Sequence, residues 1–189
     1  MNVPDHTGKG VPDAAVGLAT FRGALGHELS AEEMAALMAL RQRYLADEVE
    51  TSPGYRVMPG AVELLDSLTA QGRLVGLITG NTEPAAHTRL ACAGLNRYLA
   101  FGGYGSDADE RVDICRRALE RAEVAAGGSL DRERSVAIGD TPRDIEAAHG
   151  ARIRAIGVAT GEYSVAELRD AGADETIETL DSAGPLLGV

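Results

Sequence analysis

The sequence contains no tryptophan, few other aromatic residues and a minority of basic residues. Aromatic residues make up 4% of its 189 residues, so the chain offers no stacking platform for bases or sugars. Eighteen Lys and Arg residues stand against 29 Asp and Glu residues, which gives a net charge of −11. A nucleic-acid groove needs clustered positive charge to neutralise phosphates. Nucleic acid is therefore not expected as a partner.

Long hydrophobic runs and paired cysteines are also missing. No apolar run approaches the roughly 20 residues of a membrane-spanning helix, and residues 1–10 lack the apolar core of a signal peptide. We therefore expect a cytoplasmic protein with no membrane partner. The two cysteines, Cys92 and Cys115, are far apart, which excludes a disulfide framework and a Cys-x-x-Cys site. Each is expected to be a buried thiol that packs as a small hydrophobic residue.

The composition that remains is that of an ordinary globular chain, 44% hydrophobic and 25% charged. Such a chain can bury one sizeable core, alone or with a small appended module. Residues 1–55 have helical patterns throughout, and a capping box of Ser30 and Glu33 predicts the start of their second helix. We predict a small helical module over 1–55 and a second domain over 56–189.

The second domain alternates helices with short apolar runs. The predicted strands are 74–78, 135–139, 153–159 and, more weakly, 175–177. The predicted helices are 61–69, 84–93, 109–125, 142–149 and 164–171, the last with a capping box of Ser164 and Glu167. Strands that are apolar throughout and separated by helices are typical of a buried parallel sheet. The predicted fold is α/β, a Rossmann-like parallel sheet with helices on both faces.

Ligands of open parallel sheets bind beyond the carboxyl ends of the strands, so the residues after each apolar run are site candidates. Thr79, Gly80 and Asn81 follow the first strand, and a helix begins near Pro84. Exposed N–H groups, a Thr hydroxyl and the positive end of a helix dipole suit a phosphate group. The same residues also suit an ordinary capped turn. From these residues alone, both interpretations stay open.

The strand at 135–139 is followed by two carboxylates. Asp140 stands at the strand tip and Asp144 four residues on, at the start of the next helix. Oxygen ligands at a strand end suit Mg²⁺, which keeps several waters and takes one or two protein carboxylates. The alternative is structural: Asp140 caps the helix and Asp144 complements its dipole.

Together, these two segments resemble the haloacid dehalogenase superfamily of phosphotransferases. The family's second motif, a strand ending in Thr or Ser, is matched by 77–81, and its fourth, Gly-Asp with a second Asp, by 139–144. Arg111 is the best match to the third motif, a Lys or Arg between these two; Arg116 and Arg117 are weaker candidates. The leading helices resemble the family's small helical cap. The closest resemblance is to phosphoglycolate-phosphatase-like members.

The resemblance implies a Mg²⁺-dependent phosphatase acting on a small phosphorylated metabolite. Thr79 would hydrogen-bond the transferring phosphoryl group, with Gly80 and Asn81 completing the phosphate cradle. Arg111 would neutralise the phosphoryl charge and hold the nucleophile. Asp140 would bind Mg²⁺. Asp144 would support that metal site, either by contacting the residues around it or through a bound water.

The family's first motif is absent from the sequence. This motif is a strand ending in Asp-x-Asp-x-Thr, which carries the nucleophile and the general acid and base. The one Asp-x-Asp here, residues 107–109, follows the second motif, and we predict it to be a loop, as we do for 102–105. In the family the missing strand is the centre of the sheet, so its loss would leave its two neighbours with unpaired backbone groups.

Two explanations of this absence stay open. The simpler one, which we favour, is that the chain as given is short by one strand and its following segment, with Met1 an internal methionine taken as the start. In the other, the sheet is rearranged or a partner supplies the strand. If the chain folds without the central strand, strand exchange between copies is favoured, and a homodimer is then expected. A different class of function, a non-catalytic binding protein that lost the nucleophile, also fits. The motifs present do not exclude dehalogenase chemistry.

Overall fold

The computed structural model describes residues 22, 29–51 and 55–189. The helices are α1 (Ala31–Thr51), α2 (Ala61–Ala70), α3 (Glu83–Ala91), α4 (Arg111–Ala126), α5 (Pro142–Gly150), α6 (Val165–Asp170) and α7 (Ala183–Leu187). The strands are β1 (Gly76–Ile78), β2 (Phe101–Gly103), β3 (Val136–Gly139), β4 (Arg154–Val158) and β5 (Glu175–Ile177), with 3₁₀ turns at Leu95–Tyr98 and Leu180–Ser182. The predicted α/β class is confirmed.

The five strands form two parallel sheets rather than one. β1 pairs with β2, and β3, β4 and β5 form the other sheet in that order. The predicted single sheet is thus divided between β1 and β3, and neither strand has a partner on its other edge among the described residues. Every residue of β1 and β3 is only half-buried, whereas Ala155–Val158 of β4 are buried. If the strand of the first motif is missing, its two neighbours are expected to have unpaired edges, and β1 and β3 have such edges.

The backbone hydrogen bonds show which groups point toward the free edges. The N–H of Thr79 donates to Gly103 and the N–H of Arg154 donates to Ser135, so the odd-numbered residues of β1 and β3 face their partner strands. Backbone groups of alternate residues in a strand point to opposite edges. The backbone N–H and C=O groups of Ile78 and Ile138 therefore point away from the strands with which β1 and β3 pair.

The two sheets share one hydrophobic core. Ile78 of β1 and Ala137 of β3 pack against the same hydrophobic cluster, whose centre includes Cys115, Ile145 and Leu168. Helix α4 packs on β1 and β2, α5 packs on β3 and β4, and the two helices pack on each other. One core thus connects the two sheets although their strands are not hydrogen-bonded to each other.

Most predicted elements appear with ends shifted by one or two residues. The capping boxes are confirmed: Glu33 N–H donates to Ser30 Oγ and Ser30 N–H to Glu33 Oε2, with the equivalent pair at Ser164 and Glu167. The predicted first helix and the predicted boundary at residue 55 rest partly on residues outside those described. No helix among the described residues is long and apolar enough to cross a membrane.

Two predictions were wrong. Residues 102–105 were predicted to be a loop, but 102 and 103 belong to strand β2, and only 104 and 105 lie in the loop after it. A side chain on Gly103 would overlap the Ile114 carbonyl and the Ala118 methyl group, so glycine allows β2 to pack directly on α4. Cys115 is buried as predicted, but Cys92 is exposed because it lies just beyond the last turn of α3.

Candidate active site

The residues after β1 hold the Thr79 hydroxyl in a defined orientation. Thr79 Oγ1 accepts hydrogen bonds from the backbone N–H of Asn81, at 3.2 Å, and from its side-chain amide, at 3.0 Å. With both acceptor positions occupied, the hydroxyl hydrogen remains available to donate. Thr82, at the N-cap of α3, has no side-chain hydrogen bond to the helix. This segment therefore presents a hydroxyl donor next to an uncapped helix start, a combination that suits an oxyanion.

The loop after β2 braces the loop after β1. Gly105 N–H donates to Asn81 O at 2.8 Å. Asp107 accepts from the backbone N–H of Tyr104 and forms two hydrogen bonds with Arg121, at 2.6 and 2.7 Å. The Arg121 hydrogen bonds hold the pKa of Asp107 below its ordinary value, and the same pairing raises the pKa of Arg121.

This bracing settles the conformation of the Asp-x-Asp segment. Residues 107–109 lie in the loop between β2 and α4, as predicted. Because Asp107 is already engaged by a guanidinium and a backbone N–H, its role is to hold this loop.

Asp140 stands immediately after β3 with a half-buried side chain. Among the described residues its carboxylate forms no hydrogen bond or ion pair, in contrast to Asp144. The loop after β4 approaches it closely, since a side chain on Gly161 would overlap the Asp140 carboxylate. A half-buried carboxylate left without a protein partner suits a hard cation that keeps waters in its shell.

The structural interpretation, in which both carboxylates serve the start of α5, holds for Asp144 and fails for Asp140. The N-cap of α5 is Thr141, so Asp140 does not cap that helix. Asp144 is the acid of a capping box: its Oδ2 accepts from the Thr141 hydroxyl at 2.7 Å and from the Thr141 N–H at 3.1 Å. Thr141 is a site residue that sequence reasoning missed, although a Thr three residues before an acid is a capping-box pattern.

Arg111, the first residue of α4, contacts the other oxygen of Asp144. Its Nε and Nη2 lie 2.7 and 2.6 Å from Asp144 Oδ1. The weaker candidates bind elsewhere: Arg116 pairs with Asp113 and Arg117 with Glu120, both on the exposed face of α4. Of the three arginines, Arg111 is the one that reaches the segment after β3.

The candidate residues thus form two groups, one at the end of β1 and one at the end of β3. Thr79, Gly80 and Asn81 belong to the β1 side, and Asp140, Asp144 and Arg111 belong to the β3 side. No hydrogen bond or ion pair among the described residues joins the two groups. No three His, Cys, Asp or Glu side chains in the described part of the chain come together as a metal cluster.

Comparison with known proteins identifies the family. Residues 20–158 match the family model of haloacid dehalogenase-like hydrolases. A phosphoglycolate phosphatase from Agrobacterium fabrum is 32% identical over 149 residues, which is 78% of this chain and 62% of that protein. The chain therefore belongs to the haloacid dehalogenase-like hydrolases. It spans less than two thirds of the length of this relative.

Solved structures share the fold at low identity. A hydrolase from Pseudomonas syringae superimposes with a TM-score of 0.67 at 20% identity, covering 95% of this chain and 79% of that one. CbbY from Rhodobacter sphaeroides, solved in complex with phosphate, gives a TM-score of 0.69 at 18% identity, covering 92% and 76%. The α/β architecture with parallel strands is thus shared with both of these solved structures.

Proposed function

We propose that this chain is the larger part of a Mg²⁺-dependent phosphatase acting on a small phosphorylated metabolite. The observation that carries the proposal is the placement of unlike groups at the ends of β1 and β3. A hydroxyl donor follows β1, and a carboxylate that forms no hydrogen bond or ion pair with the rest of the described chain follows β3. The phosphatase among the relatives supports this choice of reaction.

The β1 side would bind the phosphoryl group. Thr79 Oγ1 accepts two hydrogen bonds from Asn81, which leaves its hydroxyl hydrogen free to donate to a phosphoryl oxygen. Gly80 and the N–H groups at the start of α3 add donors without a side chain in the way. These neutral donors fix the orientation of the phosphate and leave most of its charge to be balanced from the β3 side.

The β3 side would supply that balancing charge. Asp140 is the carboxylate suited to Mg²⁺, and Asp144 lies close by but is already bonded to Thr141 and Arg111. We therefore assign Asp140 as the direct protein ligand and Asp144 as the residue that orients Arg111. Bound Mg²⁺ would withdraw charge from the phosphoryl oxygens. Arg111, at the head of α4, would place its guanidinium next to the same group.

The nucleophile would come from a strand that this sequence does not contain. The backbone groups of Ile78 and Ile138 point into the space between the sheets, where a parallel strand would hydrogen-bond to both edges. The carboxyl end of such a strand would lie between Thr79 and Asp140. In the favoured explanation this strand precedes Met1 in the full protein; in the other, a partner chain supplies it and the protein is a homodimer.

The helical segment 1–55 would act as the cap that selects the substrate. Its described part, α1, packs on α3 next to the phosphate loop: Leu45 and Val49 cluster with Ala85, and Gln42 donates to Thr88 Oγ1 at 2.9 Å. A helical cap that closes over the site excludes water and contacts the part of the substrate beyond the phosphate. We also propose that the enzyme is cytoplasmic.

Hydrolysis of p-nitrophenyl phosphate tests the reaction. The chain is compared with a form extended upstream in the same reading frame, each with and without Mg²⁺. Asp140→Asn is the test variant, and Asp170→Asn, an exposed acid at the end of α6, is the matched control. We expect activity in the extended form alone, dependent on Mg²⁺, lost in Asp140→Asn and retained in Asp170→Asn.

Two other results would change the assignment. Activity of the 189-residue chain by itself would mean that a carboxylate within it is the nucleophile. Inactivity of both forms, with Mg²⁺ binding intact, would favour the alternative function, a non-catalytic protein that kept the fold and lost the chemistry.

A further inference from the structure

A second concave surface lies between α1 and α3. It forms a cavity of about 520 Å³ that is open to solvent, within the range of volumes of small-molecule sites. The described residues that line it include two aromatic, three basic and two aliphatic side chains. They are Arg41, Tyr44, Leu45, Glu48, Val49, Tyr55, Arg56 and Arg89.

One face of α1 forms the apolar floor of this cavity. Its lining residues follow the spacing i, i+3, i+4, i+7 and i+8, which places them on one side of a helix. Leu45 and Val49 are 7% and 6% exposed and pack with Ala85 of α3. A ligand in the cavity would therefore contact an already ordered hydrophobic base.

Two tyrosines stand above this floor with much of their ring surface uncovered. Tyr44 is 56% exposed and Tyr55 is 37% exposed. The Tyr55 hydroxyl donates to the backbone carbonyl of Arg89 at 2.7 Å, which fixes that ring at the end of α3. Exposed aromatic rings beside an apolar floor offer contact area to a flat or apolar group.

The charge of the rim is positive in a chain whose net charge is −11. Arg56 and Arg89 are exposed, and neither forms an ion pair within residues 29–51 and 55–189. Glu48 is the acid among the described lining residues, and it pairs with neither of them. Guanidinium groups bind carboxylates and phosphates through paired N–H donors. The rim thus complements an oxyanion.

This cavity is separate from the residues assigned to phosphoryl transfer. Thr79, Gly80 and Asn81 precede the first turn of α3, whereas Arg89 lies in its last turn. Nine helical residues extend about 13 Å, so the Arg89 end of the cavity lies a helix length from the phosphate loop, and none of the lining residues is one assigned to phosphoryl transfer.

We propose that the cavity between α1 and α3 is a second ligand site, for a small organic anion with an apolar or aromatic body. The oxyanion group binds Arg56 and Arg89, and the body lies on Leu45 and Val49 between the two tyrosines. The site does not depend on the phosphatase activity.

Calorimetric titration with phenylphosphonate, which has no hydrolysable ester bond, tests the site. Methylphosphonate, which lacks the ring, is the second probe. The variants are the pair Arg56→Gln with Arg89→Gln, the control pair Arg73→Gln with Arg134→Gln, and the pair Thr79→Val with Asp140→Asn. Circular dichroism and a urea midpoint check that each variant folds.

We expect phenylphosphonate to bind more tightly than methylphosphonate, and the Arg56 and Arg89 pair to weaken its binding about tenfold or more. The control pair and the Thr79 and Asp140 pair should bind as the wild type does. Equal weakening by the control pair would mean binding by general charge only. Loss of binding in the Thr79 and Asp140 pair would place the probe at the strand ends. Either result, or no binding to the wild type, overturns the proposal.

Discussion

Arg111 and Asp144 connect two helices through one carboxylate oxygen. Both Nε and Nη2 of Arg111 reach Asp144 Oδ1, at 2.7 and 2.6 Å, and the two side chains are only 18% and 12% exposed. The other oxygen of Asp144 is held by Thr141. One acid therefore satisfies the cap of α5 and the guanidinium at the head of α4, so this contact contributes to both the fold and the proposed site.

Removal of Arg111 is expected to destabilise the protein. In Arg111→Ala, Asp144 keeps its Thr141 donors but loses its charge partner in a mostly buried position, which costs about 3 kcal/mol of unfolding free energy. Urea denaturation measures the change. Arg116→Ala, which breaks an exposed pair on the same helix, should cost less than about 1 kcal/mol. Equal costs for the two variants would mean that burial of the Arg111 pair contributes nothing.

Gly161→Ala is expected to weaken Mg²⁺ binding with little loss of stability. The added methyl group would overlap the Asp140 carboxylate and force either that side chain or the exposed loop to move. Manganese binding, followed by water-proton relaxation, reports the effect on the site. Gly128→Ala is the matched control because nothing lies within 4 Å of a side chain there. Unchanged metal affinity in Gly161→Ala would argue against Asp140 as the ligand.

The pairing of Asp107 with Arg121 predicts an acid dependence of stability. The pKa of Asp107 is lowered from 3.8, chiefly by the Arg121 hydrogen bonds. A depressed folded-state pKa adds stability above the unfolded-state pKa, and this contribution is lost as the pH falls through the folded-state pKa. Asp107→Asn should be less stable than wild type at neutral pH, by up to about 1 kcal/mol. The difference should disappear below the folded-state pKa.

A double-mutant cycle separates this pair from other carboxylates. Arg121→Gln alone should reduce stability as Asp107→Asn does, and the two changes together should cost less than their sum. Urea midpoints at a series of pH values measure all four proteins. Additive costs at neutral pH would show that the two residues do not interact.

The two cysteines are expected to differ in reactivity. Burial raises the pKa of the Cys115 thiol to about 11, whereas Cys92 is exposed. Because the thiolate is the reactive form, a disulfide reagent at mildly alkaline pH should modify Cys92 rapidly and Cys115 only on unfolding. The time course of thiol release shows this, and Cys92→Ser should abolish the fast phase. A fast reaction that persists in Cys92→Ser would contradict the buried position of Cys115.

Hydrogen exchange should alternate along the strands that border the open space. The amides of Leu77 and Ala137 face their partner strands, whereas those of Ile78 and Ile138 point toward the space between the sheets. We expect the first two to exchange slowly and the last two quickly in the 189-residue chain. In the form extended upstream, all four should be slow. Slow exchange of Ile78 and Ile138 without the extension would mean that this chain already pairs those edges.

Periodicity and capping patterns were sufficient to predict most of the fold. Apolar runs marked four of the five strands, and Ser30 and Ser164 marked helix starts because their capping boxes depend on nearby residues only. Strand β2 was missed because glycines locally favour a loop. Gly103 is in a strand because it packs directly on α4, a tertiary contact that the local sequence does not show. The exposure of Cys92 depends likewise on where α3 ends.

The candidate site was partly predictable because some of its residues follow local patterns in the sequence. Asp140 and Thr79 were found because they follow apolar runs, and a parallel sheet fixes what lies beyond its strand ends. The sequence did not reveal that Arg111 binds the same carboxylate as Thr141. Arg111 and Asp144 are 33 positions apart, so no local pattern connects them. The close approach of Gly161 to Asp140 depends on how two loops meet, which no local pattern records.

The division of the strands also has a consequence for the order of folding. β1 and β2 are joined through α3, and β3, β4 and β5 are joined through α5 and α6, so each sheet is built from consecutive elements. Pairing within each sheet closes the shorter stretches of chain, whereas a strand between the sheets would bring together edges from two separate parts of the sequence. Because loop closure precedes the gain from non-local pairing, we expect that bridging step to be slower than pairing within either sheet.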